Sequence, residues 1–349
     1  MFCMKNYSRF AIKYFRQLLV FRVFVALIII VSIIQIFNLP YGSWALITTV
    51  TIMGSIHFLG GVLSKANQRI TGTILGAIIG LSLYLIPTSY NWLHHIILIT
   101  TVVTAIYYTQ GKYSYAALVV AITVVVVAGG GPEDLHAAMW RTINVFWAAI
   151  VAICCSLYIF PARATDHYLN YTHQFIKLCC NYYHQHNQQI AVENFQPIDI
   201  NPLSNILDKQ TSLQPHTKNE NIASKQLLTE IMLTEEQIFT MMGSMLHTRW
   251  DKQLGQNKIN DMPGLMEAKE QLADRFSRLA IQIENQHILP VKQEEIKMLS
   301  LLPPTDNHEQ SDTSNISYYG YLWLNREIAR QFSQLTHLLS EYYSHLNNK

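Results

Sequence analysis

Two arginines, Arg69 and Arg141, are the residues of this chain best suited to contact a negatively charged ligand. They lie in a stretch from residue 23 to residue 162 that holds only six formally charged residues among 140. Charged residues in such apolar surroundings usually face a protein interior and mark a pathway. Each arginine opens an apolar segment, where the positive end of a helix would help to attract an anion. The alternatives are that Arg69 reaches lipid headgroups and that Arg141 pairs with Glu133 or Asp134.

A histidine inside an apolar segment could take up and release a proton near neutral pH, because its ordinary pKa lies there. His57 is such a residue, and His94 and His95 lie near the start of a later segment. The sequence leaves two roles open for them, namely proton coupling and a purely structural hydrogen bond.

Glycines recur at every fourth position after Arg69. In the run from residue 69 to residue 80 they are Gly72, Gly76 and Gly80, with Thr73 beside the first. This spacing lines one face of a helix and allows a second helix to approach closely. We therefore expect these four residues to lie at a helix-packing surface.

The apolar stretch divides into six segments at turn-like breaks. A helix needs roughly 20 apolar residues to cross a bilayer, so six spans fit. They run from about residue 18 to 37, 44 to 63, 70 to 86, 92 to 108, 115 to 128 and 138 to 160, where Pro161 ends the last. The sequence thus predicts an all-α membrane protein with a basic N-terminus (1–17), a six-span transmembrane domain (18–162) and a cytoplasmic helical domain (163–349).

Lysine and arginine in short loops indicate orientation, because cytoplasmic loops carry the excess. With the N-terminus inside, its five basic residues, Lys65 and Arg69, Lys112, and Arg163 all lie in the cytoplasm. The loops 38–43, 87–91 and 129–137 contain no lysine or arginine. We therefore expect both termini to be cytoplasmic.

The membrane half matches itself modestly at an offset of 72 residues. Arg69 falls on Arg141, and Ala77 falls on Ala149. A repeat unit of three spans inserts in the opposite orientation in its second copy, and inverted repeats are typical of transporters with a substrate path at the repeat interface. The sequence favours an inverted 3+3 repeat, with shared composition as the alternative.

The second half is polar and carries 16 basic and 21 acidic residues from Arg163 onward. Its apolar residues recur at helical spacing, which predicts an α-helical bundle. A charge of about −5 makes nucleic acid an unsuitable partner. The pattern of histidines, cysteines and carboxylates predicts no metal site, no cofactor and no catalytic constellation, so we expect a protein that is not an enzyme.

The segment from residue 40 to residue 80 resembles the fusaric acid resistance and aromatic acid exporter superfamily. The residues that carry the resemblance are Pro40, Trp44, Leu46, Thr48, Gly54, Arg69, Gly72, Thr73 and Gly76. The tail from Tyr319 to Asn325 also resembles the end of bacterial inner-membrane members. In layout the chain is similar to the plant aluminium-activated malate transporters.

The resemblance implies efflux of small organic anions, with aromatic carboxylic acids among them, across a bacterial inner (cytoplasmic) membrane. Since many relatives fuse two halves and this chain has one, it also implies a homodimer. The candidate substrate or pore residues are Arg69, Arg141, Trp44, Thr48, His57 and Lys65. One departure is Ala148, where relatives tend to have a glycine. The other function that the sequence allows is a non-transporting scaffold or sensor whose cytoplasmic bundle recruits a partner.

Overall fold

A computed structural model gives the fold and describes residues 10–54, 58–111, 113–129, 135–190, 198–220, 225–247, 262–301 and 318–347. Every regular element within these ranges is helical, as the sequence predicts. The chain forms two compact units. The first contains Met1–Asp166 and Pro215–Glu220, and the second contains His167–Gln214 and Asn221–Lys349.

The apolar part of the first unit contains the six α-helices that we number α1 to α6. They are α1 (Phe15–Ile36), α2 (Ser43–Met53), α3 (Leu59–Ser82), α4 (Asn91–Tyr107), α5 (Ser114–Ala128) and α6 (Leu135–Tyr158). Four described stretches are long and apolar enough to cross a membrane: Phe15–Ile36, Leu59–Leu85, Asn91–Gln110 and Met139–Tyr158. At 1.5 Å per residue, α2 and α5 extend only about 16 and 22 Å. A bilayer core of about 30 Å is longer than either of them.

The boundary between α2 and α3 differs from the predicted one. We expected a span from 44 to 63 and a loop around Lys65 and Arg69, but α2 ends at Met53 and α3 runs unbroken through both basic residues. The physical reason is that charge lowers hydropathy without interrupting backbone hydrogen bonds. The break occurs instead beyond Gly54, and Phe58 is extended just before α3 begins.

The first unit carries apolar side chains on its outside. Phe24, Ile78, Ile99, Val103 and Phe146 each have between 50 and 60% of their surface exposed. A water-soluble protein rarely leaves so many large apolar side chains uncovered. This surface fits lipid surroundings.

The six helices pack in a pattern that a shift of 72 residues reproduces. Helix α3 packs on α5, and helix α2 packs on α6. Adding 72 to the residue numbers of α3 leads to those of α6, and adding 72 to those of α2 leads to those of α5. The offset therefore relates the first pair to the second. Helices α3 and α6 also pack on each other. Small residues mediate both pairs, since the α6 residues Ala149 and Ala152 are fully buried in a cluster with Ile52 and Met53 of α2.

A carboxylate in the first unit holds the beginnings of two helices. Helix α7 (Ala164–Ile190) starts with the backbone N–H groups of Ala164 and Thr165, which donate to Glu220 over 2.7 and 3.1 Å. The Thr165 hydroxyl donates to the same carboxylate over 2.9 Å, and the Gly60 N–H near the start of α3 approaches it at 3.5 Å. Burial raises the pKa of Asp166 to about 6. The positive charge of Arg163 lowers this pKa, and the negative charge of Glu220 raises it.

The remaining helices are α8 (Asn201–Glu220), α9 (Lys225–Leu246), α10 (Leu265–Asn285), α11 (Lys297–Ser300) and α12 (Tyr318–Asn347). The stretch from Pro197 to Pro215 contains three prolines, yet α8 occupies most of it. Pro202 lies in the first turn, where a missing N–H is harmless, and Pro215 lies inside the helix.

Helix α7 carries a stripe of aromatic residues on its buried side. Tyr168, Phe175 and Tyr182 are buried along it. In the second unit, its cysteine Cys180 and its histidine His173 contact backbone carbonyls of α10 at 3.5 and 3.0 Å. The stripe therefore does contribute to a helical core.

Candidate functional site

Four helices of the first unit enclose a narrow cavity of about 20 Å³, which accommodates little more than one water molecule. Helices α2, α3, α5 and α6 each contribute to it. Its lining residues are Trp44, Arg69, Thr73, Ile122, Thr123, Val126, Val127, Arg141, Thr142 and Val145. Both arginines line it, and no acidic residue is among these described lining residues.

Arg69 lies deeper than the sequence suggested. It is ten residues into α3, or about 15 Å from the start of the helix. The residue is 95% buried, and its Nε has no hydrogen-bond partner in the part of the chain that the structure describes. We had placed it at a span end, where it could reach headgroups; its burial within α3 does not fit that alternative.

Arg141 is held from two sides. Its Nη1 donates to the carbonyl oxygen of Val126 in α5 over 2.5 Å. The guanidinium carbon lies 5.9 Å from the ring centre of Tyr41 and 5.6 Å from that of Trp44. These are distances at which a cation is attracted to an aromatic face. Its alternative partners, Glu133 and Asp134, lie outside the described residues.

The other candidate residues are distributed around this cavity. Trp44 lines it, whereas Thr48, one turn further along α2, is fully buried, is not among the lining residues and has no described partner for its hydroxyl. The Lys65 ammonium lies over the ring of Tyr115 at 4.7 Å and does not line the cavity. His57 lies outside the described residues.

The glycines after Arg69 lie at the contact of α3 with α5. A Cβ at Gly72 would lie 2.6 Å from the carbonyl oxygen of Ala116, and one at Gly76 would lie 2.6 Å from the Cβ of Thr123. At Gly80 it would lie 2.7 Å from Val127. Only glycine allows this approach, and Thr73, on the same helix, faces the cavity.

Several polar residues of this region were missed by the sequence reasoning. Thr123 and Thr142 line the cavity, and Thr123 matches Thr51 at the 72-residue offset, which was an available signal. Asn144 is fully buried; its amide donates to the Pro40 carbonyl over 2.9 Å and accepts from the Trp147 indole over 2.9 Å. No sequence pattern pointed to Asn144.

The side chain of His94 contacts two backbone carbonyl groups. It is buried, and its two ring nitrogens lie 3.4 and 2.9 Å from the carbonyl oxygens of Leu83 and Ala128. The Ala128 carbonyl belongs to the last residue of α5, where helix carbonyls lack partners within their own helix. The Leu83 carbonyl also accepts the backbone N–H of Ile86 over 3.2 Å. This geometry favours the structural role over proton coupling for this histidine.

The second unit contains a buried carboxylate of a different kind. Glu235 on α9 is fully buried and accepts hydrogen bonds from Gln210 over 2.9 Å and from Tyr168 over 3.3 Å. Burial raises the pKa of Glu235 to about 8, although hydrogen bonds from Thr172, Gln210 and Tyr168 lower it. The group is therefore largely protonated at neutral pH.

A buried amine lies elsewhere in the same unit. Lys269 on α10 is fully buried; its ammonium donates to the Tyr321 hydroxyl over 2.5 Å and lies 5.7 Å from the ring centre of Tyr183. Burial lowers the pKa of Lys269 to about 7. His186 lies 3.1 Å from the same hydroxyl, and burial lowers its pKa to about 3. Tyr321 and Asn325, both in the expected tail motif, face this interior cluster, where Asn325 accepts from Tyr183.

Comparison with known proteins places these features in a family context. Residues 26–155 match the family model described as fusaric acid resistance protein-like. That range contains α2 to α5 entirely, the second half of α1, most of α6 and every cavity-lining residue. The resemblance predicted from residues 40–80 is confirmed.

A match of the whole chain extends beyond the fusaric acid resistance-like region. The chain is 23% identical over 352 aligned positions to the inner membrane protein YeeA of Escherichia coli (strain K12), covering 96% of this chain and 97% of that protein. Both the membrane half and the second unit therefore have counterparts in that relative. Ala148, the departure noted above, is fully buried with Ile30 and Ala45, so its methyl group fills space between α6 and its neighbours.

Proposed function

We propose that this protein carries small organic anions across the bacterial inner membrane, in the direction of efflux and as a homodimer. The observation that carries the proposal is that Arg69 and Arg141, far apart in sequence, line one cavity between four membrane-unit helices. A guanidinium binds a carboxylate through two parallel hydrogen bonds, so this pair suits carboxylic acids. Aromatic carboxylic acids are the first class to test, because Trp44 provides a planar apolar wall.

The packing pattern supports an inverted repeat with this cavity at its centre. The pairs α3–α5 and α2–α6 exchange under the 72-residue offset, and the two arginines occupy matching positions. Transporters built from inverted repeats bind their substrates at the repeat interface.

The small cavity supports a mechanism with a conformational change. A volume of about 20 Å³ holds a water molecule but not a benzoate ion. We infer that the structure represents a closed state and that transport requires α2 or α6 to move away from α3 and α5. The buried Nε atoms of Arg69 and Arg141 have no hydrogen-bond partner among the described residues, so both are available to an entering anion.

Flux measurements with purified protein in liposomes test the proposal. Radiolabelled benzoate and malate serve as aromatic and aliphatic probes. We expect at least one probe to move faster than in empty liposomes, and we expect the Arg69→Gln, Arg141→Gln double variant to abolish that flux. A double variant of two basic residues outside the cavity, Arg16→Gln with Arg163→Gln, is the matched control. Unchanged flux in the cavity variant would contradict the assignment.

The same preparation distinguishes the second candidate function. A scaffold or sensor would conduct none of the probes, and the two arginines would then serve only as structural contacts. No described feature of the second unit favours that role.

Oligomeric state and orientation are separate parts of the proposal. A homodimer should have about twice the chain mass of 40.1 kDa in detergent, after correction for bound detergent. Reporter tags at the two termini should both be inaccessible from the periplasm, as the lysine and arginine distribution predicts. A monomeric mass or a periplasmic terminus would refute the corresponding part.

A further inference from the structure

The loop that joins α1 to α2 has an unusual backbone. Asn38 and Tyr41 both adopt positive φ angles, 44° and 57°. Asparagine tolerates this left-handed region, but a bulky residue such as tyrosine is rarely found there. A residue held in such a conformation persists only where its surroundings fix it, and such residues cluster at ligand clamps and switches.

Two contacts fix this loop. The Asn144 amide donates to the Pro40 carbonyl over 2.9 Å, immediately before Tyr41. On the other side, a Cβ at Gly42 would lie 2.7 Å from Ile34, so the loop packs directly against α1. Asn144 is itself oriented by the indole N–H of Trp147. Helix α6 thus holds the loop through a buried amide.

The fixed loop and the first turn of α2 place one ring each near Arg141. Tyr41 and Trp44 lie 5.9 and 5.6 Å from its guanidinium carbon, and the Val126 carbonyl takes one of its N–H groups. Arg141 and Asn144 are three residues apart and lie on neighbouring parts of the same helix. Consequently α6 contacts the loop twice, once with a charge and once with an amide.

We propose that Tyr41 and Trp44 form a gate that closes over Arg141, and that Asn144 is the positioning residue that keeps the gate closed. The inference rests on the proposed function and adds the regulation of its site. In the closed state the two rings lie near the guanidinium and the Val126 carbonyl accepts one of its N–H groups, while its Nε has no hydrogen-bond partner among the described residues. When the loop moves, the strained backbone at Tyr41 relaxes and the guanidinium turns towards an anion, whose carboxylate replaces these contacts.

Cysteine accessibility tests the gate without any transported anion. The reporter is Val126→Cys, which lines the cavity, in a full-length chain whose native cysteines are replaced by alanine. A membrane-impermeant thiol reagent is added to each face of sealed vesicles in turn. We expect the Tyr41→Ala, Trp44→Ala variant to react about tenfold faster from the face that carries the α1–α2 loop, the factor that losing two cation–π contacts allows.

Three variants make the result specific. Asn144→Ala should also accelerate labelling, because it frees the loop while leaving both rings in place. Tyr41→Phe with Trp44→Phe should remain slow, because it keeps both aromatic faces. Trp92→Ala removes a tryptophan that is 62% exposed and should leave the rate unchanged.

Equal rates in the parent and the double alanine variant would overturn the gate, as would equal acceleration by Trp92→Ala. If the Val126 reporter does not fold, Thr142→Cys reports from a lining position on α6. A chain with accelerated labelling but no flux of any probe would retain the gate and lose the proposed function. Flux of a probe together with unchanged labelling would retain the proposed function and refute the gate.

Discussion

Arg69 and Arg141 line the same cavity, yet their side chains are in different situations. The buried Nε atoms of both arginines lack a hydrogen-bond partner among the described residues, but Arg141 also donates through Nη1 to the Val126 carbonyl and lies near two aromatic rings. Two positions that match at the 72-residue offset are therefore not equivalent in this conformation. Such asymmetry is expected if the two halves of an inverted repeat exchange roles between states.

The contact of α3 with α5 should tolerate no side chain at Gly76. Gly76→Val would place a Cβ 2.6 Å from the Cβ of Thr123. Overpacking of this kind typically costs about 1–3 kcal/mol. We expect a lower melting temperature of the purified protein in detergent, together with a lower yield in the membrane.

Gly111→Ala is the matched control for Gly76→Val. The nearest atom that its Cβ would meet is the Tyr108 carbonyl oxygen, at an ordinary 3.6 Å. An equal loss of stability in both variants would show that glycine itself, rather than the α3–α5 contact, determines the effect.

The sequence predicted the helical class, six apolar spans, of which four correspond to helices long enough to cross a membrane, and the glycine face after Arg69. These features depend on local composition and periodicity. The sequence misplaced the break between α2 and α3, since Lys65 and Arg69 lower the hydropathy of a helix that nevertheless continues. It also missed Asn144, because an isolated amide in an apolar run has no periodicity, and its partner Pro40 is 104 residues away. Contacts between distant segments leave no local pattern.

The carboxylate of Glu220 should stabilise the start of α7. It accepts two backbone N–H groups and one hydroxyl there, at the positive end of the helix. Glu220→Ala removes this cap, for which a loss of about 0.5–2 kcal/mol is typical. Hydrogen exchange of the first-turn amides of α7 should therefore become faster.

Asp208→Asn is the control for Glu220→Ala, because Asp208 lies on α8, the helix that also carries Glu220. Asp208 is exposed, and neutralising it should leave the exchange of those amides unchanged. Unaltered exchange in Glu220→Ala would mean that the cap contributes nothing to the stability of α7.

Glu235 should make the second unit less stable as the pH rises. Its pKa is raised from 4.5 to about 8, so its contribution is fully present below pH 4.5 and is lost as the pH rises through 8. Glu235→Gln keeps the shape and cannot ionise. The free energy of unfolding of Glu235→Gln should therefore rise relative to that of the parent between pH 5 and pH 8.5, by up to the order of 5 kcal/mol. The difference between the two melting temperatures measures this trend.

Glu270→Gln, at an exposed position of the same unit, should show no such trend with pH. A constant difference between Glu235→Gln and the parent across this range would indicate that Glu235 is solvated or paired in solution.

Lys269 should have the opposite pH dependence to Glu235. Its pKa is lowered from 10.5 to about 7, so the stability that it contributes is present above pH 10.5 and is lost as the pH falls through 7. Lys269→Met fills the same space without a charge and should melt at a higher temperature than the parent at pH 6.5, with the difference shrinking at pH 9.5. Lys177→Met, on the exposed side of α7, is the control and should be insensitive to pH. A Lys269→Met variant that is destabilised equally at both pH values would show that the hydrogen bond to Tyr321 outweighs the cost of burying the amine.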